Sequence, residues 1–329
     1  MRHVIHLTDL YHPHNDPDDH WDLAVQYALA QRGEIHLAGI VCDAKREPFG
    51  DPAVGSIAQL NHITGRFGPV AVGSSEAIRS AADLQRAASG PLPASVKMIL
   101  ETLRTHEQVA LHVCGSCRDV AIAAQVDPDL FRRRCCGVYL NAGSSKPGTE
   151  LEWNVRLEPY CYARIFQIPC RVYWLPCFYE SPIFTEHRLG SFFSMPQREV
   201  LPALPEAIQK YFLYMFTKER ATGWLEYLER PLDREALDRF AQDDRALYCT
   251  PGFFHGAGRG VTAEGEETAV DDAQSVFTFQ PVGVQVSDDG VLQRLQWGAR
   301  SNVTMLVKRD EARFSQGMRA AIRRLLSRL

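Results

Sequence analysis

Val4-Ile5-His6-Leu7 leads into Thr8-Asp9-Leu10-Tyr11-His12-Pro13-His14-Asn15-Asp16-Pro17-Asp18-Asp19, then Asp22-Leu23-Ala24-Val25-Gln26-Tyr27-Ala28-Leu29-Ala30, then Ile35-His36-Leu37-Ala38-Gly39-Ile40-Val41-Cys42. The first and last segments are short, apolar and rich in β-branched residues, so they predict strands. The segment from 22 to 30 spaces its apolar residues as a helix does. Strand, polar loop, helix and strand in that order make a βαβ unit, and such a unit implies a parallel sheet.

The same alternation continues outward. Strands are predicted at Val70–Val72, Val109–Cys114, Gly137–Leu140 and Cys170–Leu175, and helices at Gly55–Thr64, Ala94–Arg104, Asp119–Val126 and Tyr160–Phe166. Residues 79–93, with two prolines, predict a loop, and the Gly- and acid-rich 258–272 a mobile one. From about 198 to 245 the pattern is helical. Val276–Phe279, Val282–Val286 and Val303–Val307 then predict strands, with a hairpin turn at Ser287-Asp288-Asp289-Gly290. Phe314–Leu329 predicts a closing amphipathic helix whose arginines suit its C-terminal dipole. No linker interrupts the pattern. The expectation is one α/β domain over 1–329: a mostly parallel central sheet flanked by helices, with a C-terminal helical and β-hairpin part.

The chain has 329 residues, 45% hydrophobic and 23% charged, with a net charge of -4. That composition supports a packed core, and the charge argues against a nucleic-acid binder. No apolar run reaches the roughly 18 residues of a membrane span. The first residues lack the apolar stretch of a secretory signal. Nine cysteines, mostly within apolar segments, read as buried thiols in a reducing cytoplasm. Cys114-Gly-Ser-Cys117 is a CxxC, but the adjacent Cys135-Cys136 makes a poor second pair for zinc.

The loop after the first strand carries the densest chemical signal. Asp9, Asp16, Asp18 and Asp19 place four carboxylates within eleven residues. In a parallel sheet, loops at the carboxyl ends of strands form the ligand-binding edge. Crowded like charges there favour a hard divalent cation, Ca²⁺ or Mg²⁺, although the spacing is not that of an EF-hand. The competing reading is that Asp18 or Asp19 caps the following helix. That reading leaves Asp9 and Asp16 unexplained. His12, His14 and His20 admit a transition metal as a further alternative.

At this loop the chain resembles the inosine/uridine-preferring nucleoside hydrolase family, in which a strand is followed by a T-D-P-G-x-D-D motif and a helix. Thr8-Asp9 and Asp18-Asp19 are similar to its two halves, separated by an insertion. Gly39-Ile40-Val41 resembles the family's second strand, and Val113-Cys114-Gly115-Ser116-Cys117-Arg118-Asp119 its strand and turn. Asn141-Ala142-Gly143 and Glu152-Trp153-Asn154-Val155-Arg156-Leu157-Glu158-Pro159 resemble two later motifs.

The resemblance implies a Ca²⁺-dependent hydrolase of the N-glycosidic bond of a ribonucleoside or related ribosyl compound. It implies Asp9 as metal ligand and general base, Asp18 and Asp19 as metal or ribose ligands, and the Cys114 backbone carbonyl as a further ligand. Glu152 and Asn154 would bind ribose hydroxyls. Read alone, Glu152 is equally a solvated loop acid, and Asn154 equally a residue bonding its own backbone. The family's late His-Asp pair at a helix start finds its nearest counterpart in His255-Gly256. His255 would assist the leaving base, and Asp16 would stand in for the missing acid. Asp43-Ala44-Lys45-Arg46 occupies the place of a family Gly-Asn. These departures leave open another glycoside as substrate, or a ribosyl- or sugar-binding protein without catalysis. The expected partner is a small molecule, with neither nucleic acid nor membrane, and the expected assembly a homo-oligomer.

Overall fold

The computed structural model describes every residue except 14–17, 47–49, 181–183 and 221. Its centre is a nine-stranded sheet: β1 (Arg2–Thr8), β2 (Ile35–Cys42), β3 (Val70–Val72), β4 (Val109–Val113), β5 (Cys135–Asn141), β6 (Val172–Leu175), β7 (Phe277–Val286), β8 (Leu292–Trp297) and β9 (Val303–Lys308). Across the sheet the order is β8-β7-β9-β6-β5-β4-β1-β2-β3. The strands from β9 to β3 pair in parallel, and only the β7 pairings with β8 and β9 are antiparallel.

β1 is an interior strand, with neighbours pairing along both its edges. His6 pairs with Ile40 on β2 and with His112 on β4. Buried on both faces, such strands read as continuous apolar runs rather than as alternating ones. One core packs on each face of the sheet. Cys114 belongs to one core and Cys117 to the other, so the CxxC does not converge on a common ligand.

The helix after the acidic loop, α1 (Asp18–Gln31), is buried from Asp19 to Ala30. A helix enclosed on all sides is apolar nearly all round, and here Asp19, His20, Asp22 and Gln26 are buried exceptions. Each charged exception costs several kcal/mol of desolvation unless something compensates it.

Two loop expectations are corrected. Ala81–Ser89 is a helix, because the Ser80 hydroxyl accepts from the Asp83 amide while the Asp83 carboxylate accepts from Ser80, a reciprocal cap. Arg259–Val261 and Glu267–Ala269 form an antiparallel ribbon within the segment expected to be mobile. β7 is one strand through Pro281, which lies opposite Thr304. The hairpin after it turns at Gly290, whose φ of 87° suits glycine. No helix among the described residues is long and apolar enough to cross a membrane.

Candidate active site

Four adjacent parallel strands, β6, β5, β4 and β1, end side by side, and the residues just past their carboxyl ends line a cavity of about 330 Å³. Asp9 follows β1, Cys114 follows β4, Asn141 ends β5 and Cys177 follows β6. Asp18 and Asp19 enter from the start of α1, and Glu152, Trp153 and Asn154 from the start of α3, where α2 is Arg118–Val126 and α3 is Trp153–Leu157. Tyr248 and Cys249 enter from the start of α4 (Thr250–Gly256).

The acids are held and crowded. Asp9, 6% exposed, accepts a 2.9 Å hydrogen bond from Trp153 Nε1 at Oδ2. Its backbone is pressed against the turn after β4: a Cβ on Gly115 would lie 2.6 Å from the Asp9 nitrogen, so only glycine fits there. Asp19 accepts from the Thr8 hydroxyl. Burial raises the Asp19 carboxyl well above the usual range, and Asp9, Asp18 and Asp22 raise it further. Burial pushes Asp22 up to about 7, with Asp9 adding to it. Asp9, Asp19 and Asp22 form no ion pair among the described residues. Acids grouped this way await positive charge.

Asn154 is the site's other anchor. Its Nδ2 donates to the Cys114 carbonyl at 3.2 Å and to the Asn141 carbonyl at 3.0 Å, tying β4 to β5. Its Oδ1 is buried and has no hydrogen-bond partner among the described residues. A buried acceptor left open at a cavity wall is ready for a ligand hydroxyl. Glu152 lines the same cavity, but both its oxygens are engaged: Oε1 accepts from the Asn154 amide and Oε2 from the Gly143 amide, each at 2.8 Å. It caps α3 rather than standing solvated in a loop.

The opposite wall is aromatic. Phe178, Phe184 and Tyr248 line it, with ring centroids of Phe178 and Tyr248 5.5 Å apart. Trp153 lies between the guanidinium groups of Arg46 and Arg156, 5.8 and 5.9 Å from its ring centroid.

Of the residues singled out in the sequence, Asp9, Asp18, Asp19, Glu152, Asn154 and Cys114 line this one cavity. Asp16 and His14 lie outside the described residues. His12 and His20 turn elsewhere: His12 stacks on Tyr214 at 4.6 Å and contacts the Glu219 carbonyl, while His20 faces Tyr211. His255 is not part of the cavity wall. It sits in the last turn of α4, five residues past Thr250, about 7.5 Å along the helix at roughly 1.5 Å per residue. There its Nδ1 bonds the Tyr139 hydroxyl at 2.9 Å, and burial lowers its pKa to about 3. A Cβ on Gly256 would meet His112 Nε2 at 2.6 Å, so a side chain there would have to displace that ring. The residues at the start of the late helix are Tyr248 and Cys249.

The sequence reading misses Asp22, Asn141, Cys177, Tyr248 and Cys249 as site residues. Asp22 had a signal: it stands four residues after Asp18 and three after Asp19, on the same helix face. For Cys249 the signal was Thr250-Pro251, since proline in the first turn marks a helix start.

With this geometry in view, solved structures give the fold a name. A plant nucleoside hydrolase, the PpNRh1 enzyme, superposes with a TM-score of 0.57 at 16% identity, covering 98% of this chain and 99% of its own. The fold is that of the nucleoside hydrolases. The inosine-uridine preferring nucleoside hydrolase of Bacillus anthracis matches over 100% of both chains, with a TM-score of 0.53 and 14% identity. The type III effector protein XopQ, solved in complex with adenosine diphosphate ribose, matches over 99% of this chain and 93% of its own, with a TM-score of 0.56 and 14% identity. No protein-family model matches the sequence. No curated protein matches it either.

Proposed function

We propose that the protein hydrolyses the N-glycosidic bond of a ribonucleoside or a related ribosyl compound at the cavity beyond β1, β4 and β5. The observation that carries this reading is the convergence of Asp9, Asp18 and Asp19 with the open Oδ1 of Asn154 on one cavity of a nucleoside hydrolase fold. The carboxylates and the Cys114 carbonyl are oxygen donors, suited to a hard divalent cation of the calcium kind. Such a cation, when bound, acidifies water and draws sugar hydroxyls toward it.

The chain's own groups then have distinct tasks. Asp9, held by Trp153 Nε1, takes the proton from the attacking water. Asn154 Oδ1 accepts from a ribose hydroxyl. Glu152 keeps Asn154 in place through its amide. The water attacks the anomeric carbon through an oxocarbenium-like transition state as the base departs, as in other glycoside hydrolyses. Phe178, Phe184 and Tyr248 offer ring faces to the leaving base. Tyr248, rather than His255, is the polar group beside it. A small-molecule substrate, a cytoplasmic location and a homo-oligomeric state belong to the same reading.

Binding of a ribosyl compound without turnover is the second reading. It is favoured by Cys249 at the helix start, where the resemblance expects an acid. Reducing-sugar release from a panel of purine, pyrimidine and nicotinamide ribosides, together with calorimetric titration of adenosine diphosphate ribose, separates the two. Release that disappears in Asp9→Ala supports hydrolysis. Binding with no release from any riboside supports the second reading.

A further inference from the structure

Two of the cavity's lining residues, Cys114 and Cys249, bring sulfur to one side of it, next to the buried Asp22. Asp22 on α1, Cys114 after β4 and Cys249 at the start of α4 bring one carboxylate oxygen and two thiol sulfurs within 4.8 Å of one another. The three residues come from separate elements and all are buried. Asp22 is 1% exposed, and its Oδ1 has no hydrogen-bond partner among the described residues. Asn141 Oδ1 accepts from the Cys249 thiol at 3.2 Å and from the neighbouring Cys177 thiol at 3.5 Å.

We propose that Asp22, Cys114 and Cys249 form a binding site for a thiophilic divalent cation of the zinc class, separate from the oxygen donors of Asp9, Asp18 and Asp19. Sulfur ligands select zinc-class ions over calcium or magnesium. A tetrahedral centre with Zn–S bonds of about 2.3 Å keeps its ligands roughly 3.8 Å apart, so the cluster needs only a small contraction to close on an ion. Three protein ligands leave a fourth position. Cys114 and Cys249 both line the cavity, so that position faces it, which is the arrangement of an open rather than a purely structural zinc site. Binding releases the two thiol protons to water and changes no oxidation state. The Cys249 thiol gives up its hydrogen bond to Asn141 Oδ1 when its proton leaves. This inference does not depend on hydrolysis.

The test uses the full chain, purified in reductant, stripped of metal and titrated with Co²⁺ as a spectroscopic stand-in for Zn²⁺. A near-ultraviolet thiolate-to-cobalt absorption is expected, displaced by Zn²⁺ at about one equivalent per chain. Cys249→Ser and Asp22→Asn should each weaken zinc binding at least about tenfold, with circular dichroism confirming that they fold. Asp9→Asn should keep the absorption, so failure of the oxygen site reads differently from failure of this one. Absence of a thiolate absorption overturns the proposal. So does an absorption that survives in both Cys114→Ser and Cys249→Ser, or a Cys114–Cys249 disulfide found by non-reducing mass spectrometry of the freshly isolated protein.

Discussion

The two ends of the central strands carry polar groups in opposite conditions. At the amino end, Arg2 Nη1 donates to the Gly256 carbonyl at 2.8 Å and the His255 carbonyl at 3.2 Å, and His255 bonds Tyr139. His3 stacks on His106 at 3.8 Å between ring centroids. At the carboxyl end, Asp9, Asp19 and Asp22 crowd together without an ion pair, and Asn154 Oδ1 and Asp22 Oδ1 lack partners, all among the described residues. The first set holds no crowded like charge, although His3 Nδ1 also lacks a hydrogen-bond partner among the described residues. The second set costs stability and makes sense only when something binds, which is the usual signature of a working site.

That contrast can be broken by substitution. Asp9→Asn should lower riboside hydrolysis on the order of a thousandfold, as expected for loss of a general base. Its melting temperature should hold or rise, because a buried repulsion goes with the charge; steady-state kinetics and a thermal melt check both halves.

The buried histidines sharpen it. His6 is fully buried with no hydrogen-bond partner at either ring nitrogen among the described residues, and burial lowers its pKa to about 3. The unfolded chain takes that proton near pH 6.5, so between about 3 and 6.5 the unfolded state binds more protons. Stability is therefore full above pH 6.5 and is lost as the pH falls, by on the order of 4 kcal/mol from His6 at pH 3. His6→Leu should flatten the acid limb of a urea-unfolding series against pH; an unchanged limb would count against the burial argument.

Smaller effects separate the anchors. Asn154→Leu removes the open acceptor and both Nδ2 hydrogen bonds, and should raise the KM for ribosides at least about tenfold, the worth of one hydrogen bond of about 1.4 kcal/mol, while lowering stability in urea unfolding. His255→Gln should leave kcat/KM within about twofold and cost about 1 kcal/mol or more in urea unfolding, since it alters the Tyr139 hydrogen bond and the ring packing on Phe279 and Tyr173. A large kinetic loss there would return His255 to the site.

Much of this architecture is legible in the sequence, because β1, α1 and β2 each satisfy a local rule: apolar runs for buried strands, a 3.6-residue period for the helix, and acids at the carboxyl end of the first strand. The Asp9, Asp18 and Asp19 grouping follows from those rules. The missed features depend on other physics. The helix Ala81–Ser89 is set by the reciprocal Ser80–Asp83 cap, in a stretch whose prolines suggested a loop. Cys249 has no motif of its own, and only Thr250-Pro251, which marks the start of the late helix, places it at the helix cap. Asn141 and Cys177 reach the cavity only because β5 and β6 end beside β4, a long-range pairing with no local trace.

The most direct test is calcium content by elemental analysis, on protein purified without chelator and soaked in calcium, beside an Asp9→Ala, Asp18→Ala double variant. The account predicts about one calcium per chain in the wild type and its loss in the double variant, with the zinc-class site unaffected. Equal calcium in both proteins, or none in either after soaking, would contradict it.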